Sequence, residues 1–123
     1  MTELNSVFFN LTNHPSEKWD SIQRDAARQY GEIEDIPFPD ISPFADSDEI
    51  AQKAESYVSL IQSYPADRKI VHVMGEMTFT YAVVSRLKAL GIACVASTTK
   101  RDAIETDDGK KITVFRFVQF RKY

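Results

Sequence analysis

Hydrophobic residues in this chain fall alternately into short runs and into helical stripes. Four short apolar runs predict strands, over residues 6–11, 32–36, 69–74 and 92–97. Three stretches with apolar residues three or four positions apart predict helices, over residues 16–30, 46–64 and 76–90. Two further strands, over 100–106 and 111–120, flank Asp107-Asp-Gly109, a sequence typical of a hairpin turn. The predicted order is therefore β-α-β-α-β-α-β-β-β.

The stripes also predict which side chains are buried. In the first helix, with Ser16 as its N-cap, these are Trp19, Ile22, Ala26, Ala27 and Tyr30. In the second they are Ile50, Ala54, Tyr57, Val58 and Ile61, and in the third Tyr81, Val84, Leu87 and Leu90. The last strand has apolar residues on both faces, with Val114, Val118 and Phe120 on one and Phe115 and Phe117 on the other. We expect one face to cover the core and the other to meet a partner chain.

Strands that alternate with helices predict one α/β domain over residues 1–123. Its sheet is expected to be mostly parallel and Rossmann-like, with a C-terminal antiparallel hairpin. The longest apolar runs are too short to span a bilayer, and Met1–Ser6 has no features of a secretory signal. Cys94 is the single cysteine and lies among apolar residues, so we interpret it as a core residue. These features predict a cytoplasmic protein with no membrane partner.

The net charge of −3 conceals an uneven distribution. Residues 1–65 carry a net charge of −8 and residues 66–123 a net charge of +5. A short basic half favours a local anion site over a surface that wraps long nucleic acid. The plain alternative is that two solvated faces differ by chance.

Open parallel sheets bind ligands beyond the carboxyl ends of their strands, and this rule selects the loops that matter. Asn10, Thr12 and Asn13 come at the end of the first strand and just after it. Gly75 and Thr78 follow the third strand and begin a helix, whose N–H groups can hold a phosphate or simply form a tight turn. Glu76 would repel an anion unless it turns aside or accepts from a ribose hydroxyl, and the plain alternative is a negative charge that suits the N-terminus of a helix. No Walker loop or G-x-G-x-x-G occurs, so ATP and NAD are not supported.

The segment Thr98-Thr-Lys-Arg101 is the most specific of these signals. Two hydroxyls and two cations after a buried strand suit a phosphodiester, because lysine supplies a point charge and arginine a planar fork. The alternative is a solvated strand end. His14 is a candidate acid or base, or else a loop histidine stacked on Pro15 or Trp19. His72 lies within a strand and is expected to be a satisfied core residue, and no metal-ligand spacing occurs, so we predict no metal and no cofactor.

Several segments of the chain resemble small CRISPR-associated proteins of type III systems. They are Val73-Met-Gly-Glu-Met-Thr-Phe-Thr-Tyr81, Gly91-Ile-Ala-Cys-Val-Ala-Ser-Thr-Thr-Lys-Arg101 and Val114-Phe-Arg-Phe-Val-Gln-Phe-Arg-Lys-Tyr123. The opening Phe8-Phe-Asn-Leu-Thr-Asn-His-Pro15 is similar to their first strand and ligand loop. These proteins are single-domain relatives of the CARF fold, and several are ring nucleases. The resemblance covers about half of the chain and leaves out residues 32–66.

The resemblance implies a homodimer that binds a cyclic oligoadenylate messenger, most often the tetra-adenylate, in a two-fold symmetric pocket. It also implies metal-independent cleavage, in which a ribose 2′-hydroxyl attacks the adjacent phosphate and leaves a 2′,3′-cyclic phosphate. Destruction of the messenger switches off antiviral signalling. By position, we expect catalytic roles for His14, Thr99 and Lys100. Ligand contacts are expected from Asn10, Thr12, Asn13, Gly75, Glu76, Thr78, Thr98 and Arg101.

Other functional classes stay open at this point. A sensor or sponge of the same fold would hold the messenger through the same residues without cutting it. A small interaction protein would bind no nucleotide and would use the face of Phe115 and Phe117. A phosphoacceptor receiver domain is disfavoured, because it needs an acidic pair after the first strand, where Asn10 and Asn13 stand.

Overall fold

The computed structural model describes residues 5–123 and contains five strands and three α-helices there. In chain order they are β1 (Ser6–Thr12), α1 (Ser21–Arg28), β2 (Glu32–Pro37), α2 (Ser47–Ser63), β3 (Arg68–Met74), α3 (Met77–Ala89), β4 (Ala93–Glu105) and β5 (Lys111–Lys122), with a 3-10 turn at Ser16–Lys18. Most of the segment on which the secretory-signal prediction rests, residues 1–4, lies outside the described residues. Across the described part, none of the helices has the length and hydropathy needed to cross a bilayer.

The strands form one sheet in the order β2-β1-β3-β4-β5. The first four strands run parallel, and β5 is antiparallel to β4. This confirms the predicted α/β fold with a mostly parallel sheet and an antiparallel C-terminal pair. From β1 the chain passes to β2 on one side and then to β3 on the other. The point where the strand order reverses therefore lies between β1 and β3.

The two faces of the sheet are covered unequally. Helices α2 and α3 pack on one face, over a large core that includes Phe9, Leu11 and Val71. The predicted stripe of α2 is confirmed, since Ile50, Ala54, Val58 and Ile61 are buried and Tyr57 packs at the margin. The other face has a small core, formed by Phe8, Trp19, Ala27, Ile70 and Val95. In the described part of the chain, the eight-residue α1 and the preceding segment with Trp19 cover this face, which leaves room for a cavity.

The predicted start of the first helix was wrong. Helix α1 begins at Ser21, and Asp20 caps it by accepting a hydrogen bond from the Gln23 N–H at 2.8 Å. Trp19 explains the difference, because its buried indole Nε1 donates to the carbonyl of His14 at 3.2 Å and holds the preceding segment in a 3-10 turn. The predicted burial of Ile22 and Tyr30 was also wrong, since both are exposed.

The fourth and fifth predicted strands are one continuous strand, β4. Thr98–Arg101 is therefore not a loop after a strand but part of the strand interior, paired with residues 115–119 of β5. The two threonines are β-branched and therefore favour an extended conformation, which allows the strand to continue through them. The hairpin turn is confirmed, with Gly109 at φ +83°.

A bulge in β5 changes which aromatic residues share a face. Thr98 pairs with Gln119 and Thr99 with Phe117, so Val118 is an extra residue without a partner in β4. The bulge brings Phe117 and Phe120 to one face, with ring centroids 4.8 Å apart. The prediction that Phe120 shares a face with Val118, opposite Phe117, was therefore wrong.

Helix α3 agrees with its predicted bounds and departs from its predicted stripe. It spans Met77–Ala89 with Glu76 as N-cap, and Gly91 ends it at φ +78°. Val84 and Leu87 are buried as predicted. Tyr81 is 75% exposed and Leu90 is also exposed, so the predicted burial of these two side chains was wrong.

Candidate functional site

A cavity of about 600 Å³ opens at the carboxyl ends of β1 and β3, on the face that α1 covers. Its walls carry two imidazoles, several hydroxyls, a lysine and three aromatic rings, from residues that include Thr12, Asn13, His14, Lys18, Trp19, His72, Gly75, Ser97, Thr99, Phe115 and Phe117. This is the switch point of the sheet, where open α/β sheets bind their ligands. The volume lies in the range of small-molecule sites.

Asn10 lies at the centre of a buried polar network beneath this cavity. Its side chain is 1% exposed, and Nδ2 donates to the carbonyl of His14 and to Oδ1 of Asp35, both at 2.8 Å. Its Oδ1 lies 2.9 Å from the Thr12 hydroxyl and 3.1 Å from Nδ1 of His72. Every hydrogen-bonding position of the amide is therefore used inside the protein. Asn10 and Thr12, predicted as direct ligand contacts, build the floor and the loop, and of the two Thr12 also reaches the cavity wall.

The loop after β1 is fixed from several sides. The carbonyl of His14 accepts from Asn10 and from Trp19, while the Thr12 hydroxyl, which donates to Oδ1 of Asn10, accepts the His14 N–H at 3.1 Å. Asp35 of β2 holds Ser16, two residues further along, by accepting from its N–H and its hydroxyl. These bonds hold the backbone of His14 in place while its imidazole stays exposed in the cavity wall.

His72 is a candidate site residue that sequence reasoning missed. It is a core residue as predicted, 2% exposed, but within residues 5–123 its Nε2 has no hydrogen-bond partner. Burial, with the charge of His14 as a smaller cause, lowers the pKa of His72 to about 4. A signal for the site existed in the sequence, since Asn10 and His72 are polar residues inside two apolar strands. The structure shows that they are direct neighbours across β1 and β3.

The start of α3 is occupied by its own cap. The Glu76 carboxylate accepts from the N–H of Thr78 at 2.7 Å, from its hydroxyl at 2.6 Å and from the N–H of Phe79 at 3.1 Å. The bonds from Thr78 hold the pKa of Glu76 below its usual range. A phosphate at these donors would have to displace Glu76. Gly75 lines the cavity, and it leaves room for Phe38, whose Cζ would lie 2.3 Å from an added Cβ.

The four residues of Thr98–Arg101 divide between the two faces of β4. Ser97 and Thr99 line the cavity, and strand alternation places Arg101 on that same face, opposite Phe115. Lys100 faces the other way, with Arg116 as its neighbour in β5. Thr98 also faces away, and its hydroxyl bonds Gln119 across the bulge, donating to the carbonyl and accepting from the N–H. Four residues thus line one cavity, the predicted His14 and Thr99 together with Lys18 and His72, and Lys100 lies on the opposite face of β4.

Cys94 is buried as predicted, and burial raises its pKa to about 11, which is unsuited to a nucleophile. Within residues 5–123 no three His, Cys, Asp or Glu side chains cluster as metal ligands do.

The fold and the cavity together define a single-domain, Rossmann-like α/β protein with a polar and aromatic site at the sheet's switch point. The chain belongs to the family described as the uncharacterized protein MJ1673 family, whose model matches residues 6–121. No curated protein matches the chain.

Proposed function

We propose that this protein is a CARF-like ring nuclease that binds a cyclic oligoadenylate, with cyclic tetra-adenylate as the first candidate, and cleaves it without metal in the cytoplasm. The observation that carries the proposal is the cavity at the carboxyl ends of β1 and β3. It combines hydroxyls, imidazoles and aromatic rings at the place where the fold family binds nucleotides. The resemblance to small type III CRISPR-associated proteins supplies the choice of ligand.

The cavity walls fit the parts of an adenylate. Phe115 and Phe117 offer rings on which purine bases can stack, and such stacking is how proteins commonly hold unpaired bases. Lys18 in the wall and Arg101 on the same face of β4 offer positive charge for phosphates. Asn13 and Thr99 offer an amide and a hydroxyl for ribose or base edges.

A homodimer follows from the size of the ligand. One cavity has room for a drug-sized molecule, so a ring of four nucleotides would be shared between two copies in a symmetric arrangement. Exposed apolar side chains lie next to the site, since Met77 and Tyr81 line a neighbouring apolar cavity of about 310 Å³ that also borders Gly75. A surface of this kind favours a partner chain.

The reaction needs little from the protein beyond geometry and charge. The ribose 2′-oxygen attacks the adjacent phosphorus, the bond from phosphorus to the 5′-oxygen breaks, and a 2′,3′-cyclic phosphate remains. Residues of the cavity would hold the three reacting atoms in line. Cations and donors in the wall would stabilise the charge that develops on the phosphate oxygens.

The test is to incubate the purified protein with cyclic tri-, tetra- and hexa-adenylate in EDTA and to separate the products by chromatography. We expect one ring to be converted into linear products that end in 2′,3′-cyclic phosphate. An intact ring that co-elutes with the protein would instead support a sensor or sponge of the same fold. Rings that neither bind nor break would overturn the proposal.

A further inference from the structure

The imidazole of His72 is buried against three aromatic rings and still borders the cavity. Its ring centroid lies 5.1 Å from that of Phe120, 5.8 Å from that of Trp19 and 6.1 Å from that of Phe8. None of the described residues hydrogen-bonds to Nε2, although buried polar atoms are almost always hydrogen-bonded. His72 is one of the residues that line the cavity, so its buried, unpartnered nitrogen indicates a position that a ligand atom completes after a small shift of the rings that cover it.

The surrounding network decides which nitrogen of His72 carries the proton. Asn10 must turn its Nδ2 toward the His14 carbonyl and the Asp35 carboxylate, because both are acceptors. Its Oδ1 therefore faces Nδ1 of His72 at 3.1 Å and can only accept. Nδ1 is then the N–H donor, and in the neutral ring Nε2 carries a free lone pair.

We propose that Nε2 of His72 accepts the hydrogen bond of a ribose 2′-hydroxyl in the bound oligoadenylate and takes its proton when that oxygen attacks phosphorus. This inference rests on the proposed function. As the bond between the 2′-oxygen and phosphorus forms, the bond from phosphorus to the 5′-oxygen breaks. The leaving 5′-oxygen takes a proton from water, and His72 later returns its own proton to the solvent.

The charged groups around His72 fit this role. Three residues of the cavity wall are titratable or charged: His14 in the loop after β1, Lys18 in the following turn and Asp20 at the start of α1. Asp35 of β2 influences His72 through its hydrogen bond with Asn10. Strands β4 and β5 contribute only uncharged residues to the cavity, namely Ser97, Thr99, Phe115 and Phe117. The low pKa keeps the ring neutral near pH 7. The negative phosphate of the ligand would make protonation of the ring easier during the reaction.

The first test needs no ligand. Nitrogen-15 NMR of histidine side chains in the free protein at pH 7 is expected to show His72 neutral, with the proton on Nδ1 and a bare Nε2. A proton on Nε2, or a doubly protonated ring, would overturn the proposal. His72→Asn provides the assignment, because it removes this one pair of signals.

The second test compares cleavage of cyclic tetra-adenylate by three proteins. His72→Asn places an amide where it can still donate to Asn10 and removes the Nε2 acceptor, so we expect the cleavage rate to fall about 100-fold. Val71→Ala is the control, because Val71 precedes His72 in β3, is fully buried and faces the opposite core. This variant loses stability without touching the cavity, and its cleavage rate is expected to stay near that of the wild type. Binding of the ring, measured by calorimetry, should persist in both variants.

The outcomes separate the inference from the proposed function. If the wild type cleaves the ring and His72→Asn cleaves it equally fast, the role of His72 is overturned while the ring nuclease proposal stands. If the wild type neither binds nor cleaves, the proposed function fails and the role in cleavage fails with it. A kcat/KM that falls steeply between pH 8 and pH 6 would also contradict the role, because kcat/KM reports the free enzyme and would assign the base to a group with an ordinary histidine pKa.

Discussion

Phe117 and Phe120 lie three residues apart on β5, yet their ring centroids are 4.8 Å apart on one face of the sheet. Regular alternation would send these two side chains to opposite faces. Val118 has no partner in β4, and this extra residue reverses the alternation of side chains between Phe117 and Phe120. One extra residue therefore lets the same strand supply Phe120 to the small core and Phe117 to the cavity wall.

Deletion of Val118 is expected to restore regular alternation and to move one of the two rings to the opposite face. Because a contact between two half-buried aromatic rings is lost, the free energy of unfolding should fall by about 1–2 kcal/mol, measured by urea denaturation. Val118→Ala is the matched control, since it keeps the bulge and truncates a side chain that is 53% exposed. Its effect should stay within about 0.5 kcal/mol. A deletion variant as stable as the wild type would show that the bulge does not position these rings.

Arg101→Ala and Lys100→Ala test the two faces of β4. Arg101 shares the cavity face with Thr99, whereas Lys100 faces the other way. We expect Arg101→Ala to weaken binding of cyclic tetra-adenylate by about tenfold, because a charge-assisted hydrogen bond is lost. Lys100→Ala is expected to change the affinity less than Arg101→Ala, as measured by calorimetry. A larger loss at Lys100 would restore its originally predicted role and would place it in the site through the second protomer.

His72 is expected to make stability depend on pH. Its pKa is lowered to about 4 by burial, so the unfolded chain binds a proton at this residue between pH 6.5 and pH 4 and the folded protein does not. The stabilising contribution is complete above pH 6.5 and is lost as the pH falls toward 4. From the size of the shift, this loss is about 3 kcal/mol.

The measurement for this prediction is the free energy of unfolding at several pH values for the wild type and for His72→Asn. Carboxylates titrate in both proteins, so the difference between their two curves isolates the histidine. We expect the wild-type curve to fall more steeply on acidification. Parallel curves would mean that His72 titrates normally in the folded protein.

Gly75→Ala tests why a glycine ends β3. An added Cβ would lie 2.3 Å from Cζ of Phe38, so we expect a loss of about 1–3 kcal/mol from overpacking. In the background of Phe38→Ala, the same substitution should cost much less, which a double-mutant cycle measures. Equal costs in both backgrounds would indicate that Gly75 is required for another reason, such as close approach of a ligand to the backbone.

The fold could be predicted because the period of the apolar residues changes along the chain. The buried stripe of α2 and its N-cap at Asp46 depend on residues close together in the sequence, so the local sequence pattern is enough to predict them. The start of α1 depended instead on a long-range fact, the burial of Trp19 against Phe8, and no local signal opposed Ser16 as a cap. The bulge at Val118 is likewise set by pairing between two strands.

The candidate site was predicted in part. The rule for parallel sheets selected the edge at which the cavity opens, and His14, Thr12, Asn13, Gly75 and Thr99 line that cavity. The rule failed for Lys100, because a loop was predicted where β4 continues and strand alternation turns this side chain away. It also gave no role to His72, since the free Nε2 depends on how Asn10 is oriented by Asp35, which lies 25 residues further along the chain.

The saturated hydrogen bonding of Asn10 has a consequence for mutational tolerance. Aspartate has the right shape but lacks the two donors and would face the Asp35 carboxylate. Leucine has a similar volume, but it would leave the hydrogen-bonding partners of Asn10 without their bonds. Glutamine is one methylene longer than asparagine, and a site that is 1% exposed has no space for it. No other side chain of this size can both donate the two hydrogen bonds and accept the two that Asn10 makes. A scan of every substitution along β1 should therefore find position 10 the least permissive, ahead of its fully apolar neighbours, which can exchange one hydrocarbon for another.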